Sequence, residues 1–448
     1  MNFAQRLKTD LTGDLRARFV YLSNFEVERS WAVGEPKLPG AGIAFANATV
    51  NRMEEMGVLL AEAGDIVALK APMDPDYAAY LTRLGANAGR TMTAGNNDPD
   101  RTVTEDALAS PRLLAELAAL DDGRTYLMPL GISPSEERLA KETGLPLAGT
   151  TAQTCKAVNG KIFSRRLVDR LGLTAVPGQV CETVGELAGA LSAQLAGGGR
   201  AVVKESLGVS GRGMVVIDGE RAAGRLLRLI QRRGDDARAD LVVETWIERA
   251  QDLNYQFVVA RDGTVRFETV KAAVLRDGVH QGHIFPVDLP PAAFDGLFDA
   301  TQALGRALFA EGYYGMVGVD AMLGPDGVLY PCLEINARFN MSTYQNRISE
   351  RFIPAGKHAI AATFRLRPHR PHTFGELAGA LGELLFDGSG RPGVLLNNFA
   401  TLNAAAAAQP GNDFHGRLYG ICIAEDPGAV ARLRQQVDSR LADLVEAR

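Results

Sequence analysis

Through the first 150 residues, apolar runs of strand length alternate with helix-length stretches; the clearest runs are 19–22 (Phe-Val-Tyr-Leu), 66–69 (Ile-Val-Ala-Leu) and 126–130. That alternation predicts an open, Rossmann-like α/β layer. From Lys156 the pattern sharpens. Helical spacing over 160–168 ends at the extended, proline-containing segment 171–177, and a second helix over 187–195 closes on three glycines. Two β-rich runs follow, 201–204 and 214–217, then a helix over 222–232 and a strand over 241–244. Further strands, a helix over 294–310 and a hairpin around 324–327 complete this region. The chain closes on an amphipathic helix whose Val430, Leu433, Val437, Leu441 and Leu444 make one apolar stripe. The expected organisation is an α/β (α+β) chain with domains at 1–150, 151–354 and 355–448.

Composition narrows the class. With 448 residues, 46% of them apolar, the chain can build two or three cores. A net charge of -5 with dispersed Lys and Arg argues against a nucleic-acid partner. No run approaches the roughly 18 apolar residues of a spanning helix, and residues 1–18 are too charged for a secretory signal, so no membrane partner and a cytoplasmic location are expected. Cys155, Cys181, Cys332 and Cys422 form no C-x-x-C pair, which removes zinc and disulfide frameworks from consideration.

Three stretches carry candidate chemistry. The first is 206–213, Ser-Leu-Gly-Val-Ser-Gly-Arg-Gly, a loop between two strands with Lys204 at the end of the first. Gly208, Ser210, Gly211 and Gly213 let backbone N–H groups approach an anion, and a strand-borne lysine adds a fixed charge, a combination suited to polyphosphate. A hairpin turn would also explain the glycines. No G-K-[ST] opens a helix, no H-R-D or D-F-G follows, and no G-x-G-x-x-G opens a helix in the first third.

The second stretch pairs Asp320 with Leu333-Glu334-Ile335-Asn336. Two carboxylates and an amide oxygen are hard ligands for magnesium, and Glu334 and Asn336 share a strand face. Register decides whether Asp320 joins them. A four-residue hairpin connection puts it opposite Pro331 and on the wrong face; a five-residue connection puts it opposite Cys332, with Glu334 a same-face diagonal neighbour. The third stretch is Glu244-Thr245-Trp246-Ile247 with Asp252 beyond it, a strand end able to offer backbone groups and apolar walls to a base and a carboxylate to ribose hydroxyls.

In this order Lys161, Lys204, the glycine loop, the 244–247 strand end, Asp252, Asp320 and Glu334-Ile335-Asn336-Ala337-Arg338 resemble the ATP-grasp superfamily over roughly 155–350. The resemblance implies an ATP-grasp fold with an N-terminal preATP-grasp domain and a small C-terminal α+β domain. It implies a ligase that converts a carboxylate to an acylphosphate with ATP and then joins it to an amine. Lys161 and Lys204 would hold phosphates under the 208–213 loop, Glu244, Trp246 and Ile247 would cradle adenine, and Asp252 would bind ribose. Asp320, Glu334 and Asn336 would hold two magnesium ions, and Arg338, with Lys204, would act in catalysis. The whole-chain layout resembles peptide ligases of antibiotic biosynthesis, which implies an amino-acid-like carboxylate, a small-molecule or peptide amine, and a homodimer as the candidate assembly. A free-amino-acid ligase and a nucleotide-binding regulator without turnover are the rival readings. Gly318 departs from the D-alanine ligases, which carry arginine two residues before the metal aspartate. The substrate pocket is expected around Lys271, Arg276, His280 and His283, where cations and imidazoles sit among apolar residues in 270–286, although a solvated loop would read the same way.

Overall fold

The computed structural model describes residues 1–39, 47–196, 198–208, 213–276 and 279–446; the side chains of Asn47, Arg233, Leu275, Arg276, Val279 and His280 also fall outside the described set. Four parallel strands, β1 (Arg18–Leu22), β2 (Ile66–Leu69), β3 (Arg90–Thr93) and β4 (Thr125–Pro129), form a sheet ordered β3-β2-β1-β4. β2 is buried along its whole length and β1 after its first residue, as expected of parallel strands covered on both faces, so they read as unbroken apolar runs.

A second, antiparallel sheet is built from β5 (Gly178–Thr183), β6 (Arg200–Glu205), β7 (Met214–Asp218) and β8 (Arg238–Thr245), ordered β5-β8-β6-β7. Its helices, Val184–Leu195 and Gly219–Ile230, close a separate small core with Leu191, Leu226 and Val243. Thr183 caps the first helix, its hydroxyl accepting from Glu186 N–H in a capping box.

The third sheet has eight strands: β9 (Gln251–Val259), β10 (Val265–Arg276), β11 (Val279–Phe285), β12 (Gly315–Leu323), β13 (Leu329–Asn336), β14 (His358–Leu366), β15 (Gly393–Asn398) and β16 (Gly416–Ala424). Their order is β13-β12-β9-β10-β11-β14-β16-β15, so the segment after 354 extends the sheet that carries the metal-ligand candidates. The joint is β11 against β14, and it requires a glycine: a Cβ on Gly282 would lie 1.7 Å from the Ala361 carbonyl oxygen.

The first and last segments of the chain share one core, in which Tyr77, Leu81 and Trp31 pack with Phe364, Leu396 and Leu418. Polar side chains stitch the same seam. Tyr77 Oη donates to the Leu396 carbonyl at 3.1 Å, Tyr80 Oη to Phe386 at 3.0 Å, and buried Glu55 accepts from the N–H groups of Phe399 and Ala400 at 2.7 and 2.8 Å. All four cysteines are buried and unpaired. No helix among the described residues is long and apolar enough to cross a membrane.

Candidate functional site

Between the small sheet, the large sheet and the N-terminal segment lies a cavity of about 380 Å³. Local structure explains how its floor forms. The helix Lys161–Leu171 starts at Gly160 and ends at Gly172, whose φ of 65° only glycine adopts readily. Its Leu167 and Val168 pack in the core with Ile335, and Ser164 Oγ accepts from Ile335 N–H at 3.0 Å, fixing the helix to β13. Lys161 N–H donates to the Ser206 carbonyl at 2.8 Å, so the helix start also holds the entrance of the glycine segment.

Lys161 Nζ then reaches both the Gly208 carbonyl, at 3.0 Å, and Glu334 Oε1, at 2.7 Å. Lys204 Nζ lies 2.5 Å from Glu244 Oε2, and Arg165 approaches the other oxygen of that carboxylate at 3.3 Å. The guanidinium groups of Arg200 and Arg249 lie 5.1 and 4.9 Å from the Trp246 ring. Arg249 also pairs with Asp252 at 2.9 Å, while burial raises the Asp252 carboxyl above its ordinary range.

The hairpin resolves the register question. Its connection is five residues, with Leu323 opposite Leu329, but a bulge between Asp320 and Met322 brings Asp320 directly opposite Glu334, not diagonal to it. Pro331, which has no N–H for the ladder, falls in that bulge. Asp320 Oδ1 accepts from Asn254 Nδ2 at 2.8 Å, and Oδ2 from Asn336 Nδ2 at 3.3 Å. Burial, with the Glu334 carboxylate beside it, pushes Asp320 up to about 6. Arg338 donates to Asn336 Oδ1 at 3.0 Å and pairs with Glu28, which ties the N-terminal segment to the site.

Lys161, Lys204, Gly208, Glu244, Trp246, Ile247, Asp252, His283, Asp320, Glu334, Asn336 and Arg338 all line this one cavity. Gly213 does not: it takes a φ of 74° and its carbonyl closes a turn on Glu205 N–H at 2.7 Å. Ser210 and Gly211 lie outside the described residues, as do the side chains of Arg276 and His280. Lys271 must be corrected. It is buried, and its ammonium donates to the Ser342 carbonyl at 2.8 Å and to Asn346 and Gln345 at 2.9 and 3.4 Å, so it braces the wall from behind instead of meeting a substrate. Desolvation holds its pKa well below the usual lysine range.

Sequence reading missed Asn254, Gln256 and Asn340. A legible sign existed for two of them: Asp252, Asn254 and Gln256 alternate with Leu253, Tyr255 and Phe257, a polar face on a buried strand. Gln256 donates to Asn340 Oδ1 at 2.6 Å and accepts from Asn346 at 2.8 Å, joining Lys271's surroundings to the cavity. Gly318 now has a reason, since a Cβ there would lie 2.2 Å from Asn340 Nδ2.

Residues 53–145 match the pre-ATP-grasp domain family model. Over 191 residues the chain is 30% identical to the butirosin acyl-carrier protein–L-glutamate ligase of Niallia circulans, covering 42% of this chain and 45% of that one. Over 281 residues it is 25% identical to the carbamoyl phosphate synthase large chain of Xanthomonas campestris, covering 59% and 25%. The chain thus spans less than half the length of these curated relatives. Among solved structures, the N5-carboxyaminoimidazole synthetase of Staphylococcus aureus superposes with a TM-score of 0.53 over 95% of this chain and 97% of that one, at 12% identity. This chain has an ATP-grasp fold. The biotin carboxylase of Campylobacter jejuni, at a TM-score of 0.55 and 14% identity over 90% and 93% of the two chains, shares the ATP-grasp architecture.

Among the described residues no group of three or more His, Cys, Asp or Glu could hold a metal by itself. The cavity instead offers Asp320 and Glu334 directly opposite each other with an asparagine oxygen beside them. A cation would offset the repulsion that raises Asp320, and magnesium is commonly held by one or two carboxylates plus phosphate oxygens, so the donor set fits.

Proposed function

We propose that this ATP-grasp protein is an ATP-dependent, carbon–nitrogen bond-forming ligase that activates a carboxylate as an acylphosphate and releases ADP and phosphate. The observation that carries the reading is that one cavity gathers Lys161, Lys204, Asp320, Glu334, Asn336 and Arg338 from three separate stretches of chain. Phosphoryl transfer asks a protein mainly for alignment and charge neutralisation, which lysines, carboxylates and arginine supply without a nucleophilic side chain. Lys161 and Lys204 bind phosphate oxygens, the Glu244–Ile247 stretch takes the base and Asp252 the ribose. Asp320, Glu334 and Asn336 hold magnesium, two ions being expected, which supplies charge neutralisation when bound. Arg338, oriented by Asn336 and Glu28, faces the transferred group and later the oxyanion.

The finer reading is a peptide ligase that joins an amino-acid-like carboxylate to a peptide amine. A second reading draws on the Niallia relative, whose name specifies L-glutamate and an acyl-carrier protein: a free amino acid supplies the carboxylate and a carrier protein accepts it. ADP release, measured with ATP, magnesium and a matrix of carboxylates against amines, peptides and carrier proteins, separates these readings. Release that requires both co-substrates and disappears in Glu334→Gln is the expected result. Nucleotide binding with no ADP from any combination would establish the regulator reading instead.

A further inference from the structure

The cavity continues past Arg338 to a wall made by β14, β15 and β16 and faced by the N-terminal segment. Three features of that wall are unexplained by nucleotide binding. Arg365 and Arg417 stand directly opposite each other on β14 and β16, and both line the cavity. Two guanidinium groups on one stretch of wall give it positive charge suited to an anion. Second, the ladder of β15 with β16 slips at Asn397: Leu396 pairs with Gly420 and Asn398 with Tyr419, leaving Asn397 as the extra residue of a bulge. Bulges re-aim side chains, and this one lines the cavity. Asn397 is 3% exposed, yet its Oδ1 has no hydrogen-bond partner among the described residues. The adjacent Asn398 differs, its Oδ1 accepting from Thr401 N–H and Oγ–H at 3.1 and 2.6 Å. A buried acceptor left unmatched is costly, and a donor on a ligand in the cavity would satisfy it. Third, Glu26 lines the same region from a left-handed backbone conformation, φ 63°, that non-glycine residues seldom adopt, and it pairs with Arg29.

A guanidinium pair, an unmatched amide oxygen and a carboxylate do not suit a phosphate, which would satisfy the first and be repelled by the others. They suit a group that carries an anion and N–H donors side by side. Resting on the ligase reading for the nucleotide end, we propose that this wall is the subsite for the amino-carboxylate head of a substrate. Its carboxylate lies on Arg365 and Arg417, and its ammonium donates to Asn397 Oδ1 and toward Glu26. The substrate class is therefore an α-amino acid, or a molecule ending in one.

Isothermal titration of the full chain with each of the common L-amino acids, without nucleotide, tests this. At least one binds wild type, and both its deaminated acid and its decarboxylated amine bind at least about tenfold more weakly. Arg365→Gln and Asn397→Leu each weaken that amino acid by about tenfold or more, while affinity for the imido analogue of ATP with magnesium stays within about twofold. Arg365 is exposed, so its variant remains informative if Asn397→Leu does not fold. The subsite is overturned if no amino acid binds, if the truncated analogues bind as well as the parent, or if Arg365→Gln binds the parent unchanged. Failure of the ATP analogue to bind wild type would instead undo the ligase reading and leave the amino-acid result standing.

Discussion

β12 and β13 on one side of the cavity and β14, β15 and β16 on the other use polar side chains in different ways. On the first side the named polar groups are paired: Asp320 accepts from Asn254 and Asn336, Lys161 meets Glu334, and Arg338 meets Asn336. On the second, arginines face arginine and a buried amide oxygen is unmatched. The first side is a largely paired, balanced cluster in which the Asp320–Glu334 contact is left for a cation; the second keeps a buried acceptor that a ligand's donor would match. Balanced clusters favour tight alignment of a highly charged nucleotide, and unbalanced walls favour selection among substrates.

Disturbing the balanced side should cost most. Glu334→Gln removes the carboxylate opposite Asp320 and the partner of Lys161, and we expect kcat to fall about 100- to 1000-fold while the melting temperature barely changes. Wild-type turnover at saturating magnesium would break the assignment. Next in size, Lys204→Ala should raise the KM for ATP about 10- to 100-fold and leave that for the co-substrates nearly unchanged, as initial-rate kinetics would reveal. Equal changes for all substrates would make Lys204 a structural partner of Glu244. Gly318→Ala drives a methyl group into Asn340 and breaks its bond with Gln256; a drop of about tenfold in kcat/KM for the carboxylate substrate, with ATP affinity preserved, is the expected pattern.

The contrast between Lys204 and Lys271 is sharpened by stability. Lys271→Met leaves the Ser342 carbonyl and Asn346 unsatisfied and should lower unfolding free energy by about 2 kcal/mol in urea titrations, with little change in either KM. A selective rise in one substrate's KM would return Lys271 to the binding surface. The smallest effect concerns the seam behind the second wall. Burial pushes Glu55 up to about 7 from an ordinary 4.5, so the folded chain binds more protons than the unfolded one between those values. Stability should therefore fall as pH rises from about 4.5 through 7, by on the order of 2 kcal/mol, and Glu55→Gln should flatten that slope in pH-dependent denaturation. An unchanged slope would mean that Glu55 stays ionised throughout.

The same division explains what could be read from sequence. Lys161, Lys204, Glu244, Asp320 and Glu334 were legible because each stands at a helix start, strand end or alternating strand where residue type and local geometry are written together. The hairpin length offered two registers, Asp320 opposite Pro331 or opposite Cys332, and the structure shows neither, because a bulge that contains Pro331 slides Glu334 opposite Asp320. Asn340 sits in a connection after β13, and its bond with Gln256 and its closeness to Gly318 arise only in the folded sheet. Lys271 was misplaced because a buried lysine with neutral acceptors looks in sequence like any strand cation among apolar residues. The far wall was hardest to foresee. Arg365, Asn397 and Arg417 are separated by some tens of residues, and Glu26 by hundreds, so nothing but the folded sheet brings them together.

The acylphosphate route can be tested without knowing the natural amine. The full chain would be incubated with ATP, magnesium and amino acids labelled with 18O in their carboxylates, using hydroxylamine as the acceptor, and the phosphate and nucleotide products read by mass spectrometry. An acylphosphate that forms on a substrate carboxylate leaves one 18O in the released phosphate, alongside ADP and an amino-acid hydroxamate, and Glu334→Gln forms none of these. Unlabelled phosphate with no hydroxamate would reduce the protein to an ATPase, and AMP with pyrophosphate would replace the acylphosphate by an adenylate and contradict the roles given to Lys204, Glu334 and Arg338.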